Sequence, residues 1–343
     1  MSEEREESDL RHPRETGVLY GHVEAERTLL DSFRGGRMPH AWLIGGPPGI
    51  GKATLAYRFA RFVLAHPDAH GPDVAAVTSL AVPENDPVAR RVATATHAGV
   101  LTLERRLNDK GRLMQDIAVD DVRRLVPFFG STAGEGGWRI AIVDAVDELN
   151  RSGANAILKL LEEPPQRSLL LLVSHAPGRT LPTIRSRCRR LDLRPLAQNE
   201  VCLAAGKALG RAPTDPEIMA AAQACDGSVA RALALLDGNA LALREKTLGL
   251  LAQLPAPDPR ALHALGDALA GSEPQTLTAF MDVINEWLST RLETMAREAR
   301  RAARIAETWD AVNRAARDAQ TYNLDRKPLV FSVFGLLAEA ARG

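Results

Sequence analysis

Cysteine is scarce. Cys188, Cys202 and Cys225 are the only three in 343 residues, and they are scattered. Three separated thiols cannot build a disulfide framework, and no C-x-x-C pair exists to hold zinc, so a reducing compartment fits best. Aromatic residues make up only 4% of the chain, low for a soluble protein, whereas the apolar content of 45% is ordinary. Charge of one sign is also missing: 43 basic residues balance 43 acidic ones. A uniformly basic nucleic-acid binder is therefore not indicated, although local basic patches remain open. There is no run of about 18 apolar residues, so no membrane span is expected. The stretch Met1–Asp9 is polar and acidic and lacks the apolar segment of a signal peptide. Together these absences lead us to expect a cytoplasmic, soluble protein, and the length suits two or three domains.

The strongest local pattern is Gly46-Pro47-Pro48-Gly49-Ile50-Gly51-Lys52. It follows the apolar run Ala41–Ile44, which reads as a buried strand, and precedes Ala53–Leu64, which reads as a helix. Strand, glycine loop and helix in that order are the setting of a phosphate-binding loop. Glycines let backbone N–H groups turn inward as an anion nest, the helix N-terminus adds partial positive charge, and Lys52 reaches the outer phosphates. The Ser or Thr that normally follows the lysine, and whose hydroxyl ligates Mg²⁺, is missing. Ala53 stands there, and Thr54 is one residue late on a helix, pointing elsewhere. The nucleotide-binding set expected is Gly46, Gly49, Gly51, Lys52, Ala53, Thr54 and Asp144.

Asp144 ends the apolar stretch Trp138–Asp144, a third strand whose C-terminal acid suits a Mg²⁺-holding carboxylate. Hydrolysing members of this class place a glutamate next; here Ala145 follows. Asp147 or Glu148 replaces it only through a local shift of register. With both the metal hydroxyl and the base absent, phosphoryl transfer loses factors of about hundreds or more in rate. Val100–Leu103, Ser168–Ser174 and Arg189–Leu193 read as further strands. Helices are expected at Gly21–Phe33, at Asp121–Phe129 capped by Asp120, at Gly153–Glu163 capped by Asn150 or Ser152, and at Leu181–Arg187. Asp109-Lys110-Gly111 reads as a turn and Ser131–Gly137 as a glycine-containing loop. Strands alternating with helices imply a parallel sheet with right-handed crossovers.

Residues 65–98 are punctuated by proline and suit an irregular insertion with a short helix near Pro87–Thr96. Their histidines, His66, His70 and His97, lack companion ligands and suit solvated loop positions. After Pro195 strand signals stop. The domain expectation is a disordered leader at 1–16, a nucleotide-binding α/β domain at 17–195, a helical lid at 196–240 and an all-α domain at 241–343. A break is expected at Gly271-Ser272-Glu273-Pro274. The basic stretch Arg291–Arg304 suits a solvated helix face better than a DNA-binding one. Arg185, Arg187, Arg189 and Arg190 crowd together, and spacing alone reads them as a surface basic cluster.

Four blocks taken together carry a resemblance. They are Gly46–Lys52, Ile140–Asp144, the helix end Asn155-Ala156-Ile157-Leu158-Lys159-Leu160-Leu161-Glu162-Glu163-Pro164-Pro165, and Ser186-Arg187-Cys188. In this order they resemble the bacterial clamp-loader branch of the AAA+ ATPases, over roughly residues 18–240 by motif. The resemblance implies an α/β P-loop parallel-sheet domain, a small helical lid, and an all-α collar that assembles a pentamer. Arg187 would be an arginine finger acting in trans on a neighbour, and Ser174 and His175 would lie near the sensor-1 position. The segment Gly227–Leu233 resembles the sensor-2 helix. Ala230 holds the usual arginine position there, so Arg231 is turned about 100° away from a phosphate. Hydrolysing gamma/tau subunits keep the missing Thr and Glu and usually carry a zinc-binding cysteine cluster. This chain has none of these, so no zinc is expected. The reading is a non-hydrolysing subunit, with ATP bound but not hydrolysed, working with gamma/tau and delta subunits in a hetero-pentamer that places the sliding clamp on primed DNA. An active gamma/tau-like ATPase is the alternative, and a small-molecule kinase a third for which no acceptor pocket is evident.

Overall fold

The computed structural model describes residues 12–36, 38–108, 113–130, 137–270, 274–295, 298–322 and 324–342. The first eleven residues of the expected leader lie outside them. So do the turn at Asp109-Lys110-Gly111, nearly all of the loop at Ser131–Gly137, and Gly271 to Glu273. The chain divides into two compact units, Met1–Ala232 and Leu233–Gly343.

In the first unit the elements run α1 (Val23–Arg34), β1 (Ala41–Gly45), α2 (Lys52–Ala65), α3 (Pro72–Ala76), α4 (Pro87–Ala93) and β2 (Val100–Glu104). They continue with α5 (Val119–Arg123), α6 (Leu125–Gly130), β3 (Arg139–Asp144), α7 (Arg151–Glu162), β4 (Ser168–Ser174), α8 (Pro182–Arg185) and β5 (Arg189–Asp192). Then come α9 (Gln198–Leu209), α10 (Pro216–Ala224) and α11 (Val229–Leu236), the last of which crosses into the second unit.

The five strands form one all-parallel sheet in the order β2-β3-β4-β1-β5. β4 is buried at all seven positions, as a strand covered on both faces must be. Ala41, Leu43, Ala141, Val143, Leu170 and Leu172 pack on one side with Val122, Leu125, Ile157 and Leu161 from α5, α6 and α7. α2 supplies the fully buried Leu55, Phe59, Phe62 and Val63. At about 25 cal/mol per Å², such large apolar side chains contribute roughly 1.5–3 kcal/mol each when fully buried. The register sets Gly45 beside both Ser174 and Asp192, and Glu104 beside Asp144, so the C-terminal strand ends share one edge of the sheet.

Two expectations are corrected. The helix expected over Asp121–Phe129 is broken at Arg124 into α5 and α6. Pro127 has no N–H to give the carbonyl of Arg123 and its ring crowds that carbonyl, so the first helix ends there. Asp120 lies inside α5, and Ala118 holds the cap position. Residues 12–16, expected as the end of a disordered leader, are pinned to α2: Arg61 donates to the carbonyls of Arg14 (3.3 Å) and Thr16 (2.5 Å), and Arg58 to that of Gly17 (2.6 Å). The insertion at 65–98 contains α4, capped by Asp86, which accepts from the amides of Val88 (2.7 Å) and Ala89 (3.4 Å).

The second unit is helical: α12 (Ala240–Leu251), α13 (Pro259–Leu269), α14 (Pro274–Thr294), α15 (Ala299–Thr321) and α16 (Arg326–Arg342). Leu265, Phe280, Ile284, Leu288, Val312 and Phe334 form the centre of its core. No helix among the described residues is long and apolar enough to cross a membrane.

Candidate phosphate-loop site

The loop from Gly46 to Gly51 leaves β1 and ends as the N-cap of α2. Gly46 (φ +144°) and Gly49 (φ +75°) take backbone conformations that an L side chain rarely adopts. Space forbids one as well. A Cβ on Gly46 would lie 2.6 Å from the Leu193 carbonyl oxygen, and one on Gly49 would strike the Ser228 hydroxyl and come 2.8 Å from the Ala230 methyl. The amide of Ala230 donates to the Gly49 carbonyl (3.2 Å), tying the loop to the start of α11. His22 donates from its ring to the carbonyl of Ile50 (2.7 Å).

Lys52 is almost wholly buried (3% exposed) and curls back on its own loop, donating to the carbonyls of Gly46 (2.7 Å) and Pro47. Burial pulls its ammonium down to about 8, against the opposing pull of Asp144 and then Asp147. Asp144 is pushed up to about 6, first by burial and then by the charge of Glu148, with Lys52 opposing and Glu104 adding. No ion pair joins Lys52 and Asp144 among the described residues, and burial outweighs their mutual attraction, driving both groups toward neutrality. β4 explains the separation: it lies between β1, which leads into the lysine's loop, and β3, which carries the acid. α2 begins with no side-chain cap, so its first-turn amides remain available beside the buried lysine. A buried cation next to an uncapped helix N-terminus fits a phosphate group.

The acids that would have to replace the missing base are engaged elsewhere. Asp147 accepts from the hydroxyls of Ser174 (2.9 Å) and Thr180 (3.0 Å) and from the amides of His175 and Ala176 (3.2 Å), so it holds the turn that leaves β4. Glu148 accepts from Arg105 (2.8 Å), and burial pushes its carboxyl up. Ala145, the residue in the glutamate position, is buried at 1% exposure.

Arg187 follows α8 and is about a third exposed. It pairs with Glu162 at the end of α7 (2.9 Å) and donates to the carbonyl of Thr183 (3.0 Å). Arg231 is paired with Asp226. Sequence reasoning missed His12, which bridges to Glu104 (3.2 Å) beside Asp144 and, by that bond, draws the Glu104 carboxyl down. It also missed the contact of Ser228 and Ala230 with Gly49. No local pattern in the sequence encodes either. Among the described residues no group of three or more His, Cys, Asp or Glu is placed to hold a metal. His66 stacks on Phe62 at 4.5 Å.

A glycine loop after an inner strand of an all-parallel sheet, with the partner acid two strands away, defines a P-loop α/β protein. The family model described as DNA polymerase III, delta subunit matches residues 21–197, and the chain belongs to that family. It is 38% identical over 156 residues to the DNA polymerase III subunit delta' of Pseudomonas aeruginosa, covering 45% of this chain and 43% of that one. It is 30% identical over 225 residues to the subunit delta' of Escherichia coli K12, covering 65% and 62%. To the subunit tau/gamma of Haemophilus influenzae it is 25% identical over 287 residues, covering 80% of this chain and 39% of the other. The matches thus span between about two fifths and three fifths of the lengths of these relatives.

Proposed function

We propose that this chain is a cytoplasmic clamp-loader subunit in the delta' position, which keeps a nucleotide pocket without hydrolysing and serves a neighbour's site with Arg187. The observation that carries the reading is the commitment of Asp147 and Glu148. Asp147 is held by four donors and Glu148 by Arg105, so neither is free to polarise a water beside Asp144. Ala53 and Ala145 remove the metal hydroxyl and the base at their usual positions. The loop glycines, Lys52 and the uncapped start of α2 would hold the phosphates of ATP, whose bound charge relieves the buried ammonium. Asp144 would stay a weak metal ligand at most.

Arg187 would act in trans. A partly exposed guanidinium at the sheet edge can be presented to a neighbouring γ-phosphate, where it stabilises transition-state charge. In this chain it rests on Glu162, and docking of a neighbour would exchange that carboxylate for phosphate oxygens. The partners would be gamma/tau and delta subunits in a hetero-pentamer acting on a sliding clamp and primed DNA. Residues 196–240 would serve as the lid and 241–343 as the collar.

Reconstitution with gamma/tau and delta subunits tests this directly. Arg187→Ala should lower the DNA-stimulated ATPase of the assembly by about tenfold or more while subunit stoichiometry is unchanged. Full activity in that assembly would remove Arg187 from the mechanism. Turnover by the isolated chain, lost on Lys52→Ala, would instead establish the hydrolysing alternative.

A further inference from the structure

The second unit holds a cavity of about 250 Å³ where α14, the start of α15 and the end of α16 come together. Four arginines line it, Arg291, Arg301, Arg304 and Arg342, with Trp287 and Met295 on its apolar side, and no acid is among the lining residues. Arg291 lies over the Trp287 ring at 4.6 Å, a stacking that fixes the guanidinium plane and leaves its N–H edge for another partner. Arg301 is balanced by Glu298 (2.8 Å). Arg304 and Arg342 form no ion pair with any described residue, and both are exposed. Three guanidinium groups without a carboxylate partner thus border one hollow and give it a local positive potential.

We propose that this cavity is a phosphate-binding site, separate from the glycine loop. A carboxylate is satisfied by a single bidentate arginine. Three guanidinium groups lining one hollow instead suit a tetrahedral phosphate, which offers oxygens in several directions, and the indole and thioether beside them suit the sugar or base attached to it. The phosphate would come either from a nucleic-acid backbone or from a free polyphosphate. The basic stretch Arg291–Arg304, read from sequence as a solvated helix face, acquires a purpose only because α16 brings Arg342 to it.

The test uses the full chain carrying Lys52→Ala, so that the glycine loop does not compete. The probes are inorganic pyrophosphate, a fluorescent fifteen-residue oligothymidylate, and a hexaglutamate peptide of comparable charge. Binding of either phosphate probe should weaken at least tenfold in Arg304→Ala/Arg342→Ala with an unchanged melting temperature. The control Arg314→Ala, elsewhere on α15, should leave it as it was. The oligonucleotide binding alone assigns a nucleic-acid backbone as the source, pyrophosphate alone assigns a free polyphosphate, and both binding assigns the phosphate group itself. The proposal is overturned if neither phosphate probe binds, if only the peptide binds, or if Arg314→Ala weakens binding as much as the double variant.

Discussion

Lys52 and Asp144 each carry a charge that their surroundings oppose, and that has a measurable sign. The Asp144 carboxyl titrates near 6 in the fold and near its ordinary value when unfolded. Its ionised form is therefore penalised in the native state, and the penalty is full above about pH 6 and gone below about pH 4. Asp144→Asn should stabilise the protein by about 1–2 kcal/mol at pH 7.5, raising the melting temperature by about 2–4 °C per kcal/mol. The gain should vanish at pH 4; a gain independent of pH would point to packing instead. Lys52 has the opposite dependence: its ammonium is penalised below about pH 8, and the penalty fades as pH rises toward its ordinary value. At the same scale, Glu162→Gln frees Arg187 of a half-exposed ion pair. Such pairs contribute only up to about 1 kcal/mol, so the melting temperature should barely move. Activity of the reconstituted assembly should hold or rise, and a fall matching that of Arg187→Ala would mean that Glu162 positions the arginine rather than merely resting it.

The turn after β4 depends on one side chain from another strand's exit. Asp147→Ala would leave the buried Ser174 hydroxyl without its main acceptor and remove three further bonds, a loss of about 2–3 kcal/mol. Chemical denaturation should show it as a lower midpoint at unchanged slope. Asp147→Asn should recover only part of it, because an amide accepts through one oxygen. This role was not legible in the sequence. Periodicity and loop chemistry locate the five strands to within a residue or two, Asn150 as one of two candidate caps of α7 with the start two residues late, and the helices beyond Pro195, because those signals are local. Pro127 is an equally local signal, but it sits inside an amphipathic pattern that runs on through the break. Sheet order was not readable, since it depends on pairing between strands far apart in the chain. Without it, Asp147 reads as a spare acid beside Asp144 rather than as the anchor of the β4 exit. The same holds for Glu104, which β2 delivers to the side of Asp144 only through register.

For the whole molecule, the balance between binding and hydrolysis can be read without partners. ATP at about a hundred times its dissociation constant should stabilise the chain by about 2.7 kcal/mol. With Ala53 in place of the metal-binding hydroxyl, the shift should be nearly the same in Mg²⁺ and in EDTA. Lys52→Ala should abolish it. A shift that requires Mg²⁺ would show that another group, Thr54 among them, supplies the missing ligand.

The order β2-β3-β4-β1-β5 also bears on how this protein is made. Among the described strands β1 is the first synthesised, yet both of its neighbours come late: Ala41 pairs with Leu170 and Trp42 with Arg189. Those partners are about 130 and 147 residues downstream, and at roughly 5–20 residues per second a nascent β1 waits roughly 6–30 s before partners for both of its edges exist. For most of that interval its neighbours-to-be have not yet been synthesised, while Trp42, Leu43 and Ile44 have already emerged. The first strand out is thus the last to be enclosed, and slow codons between residues 45 and 170 would lengthen the time for which it needs a chaperone's cover.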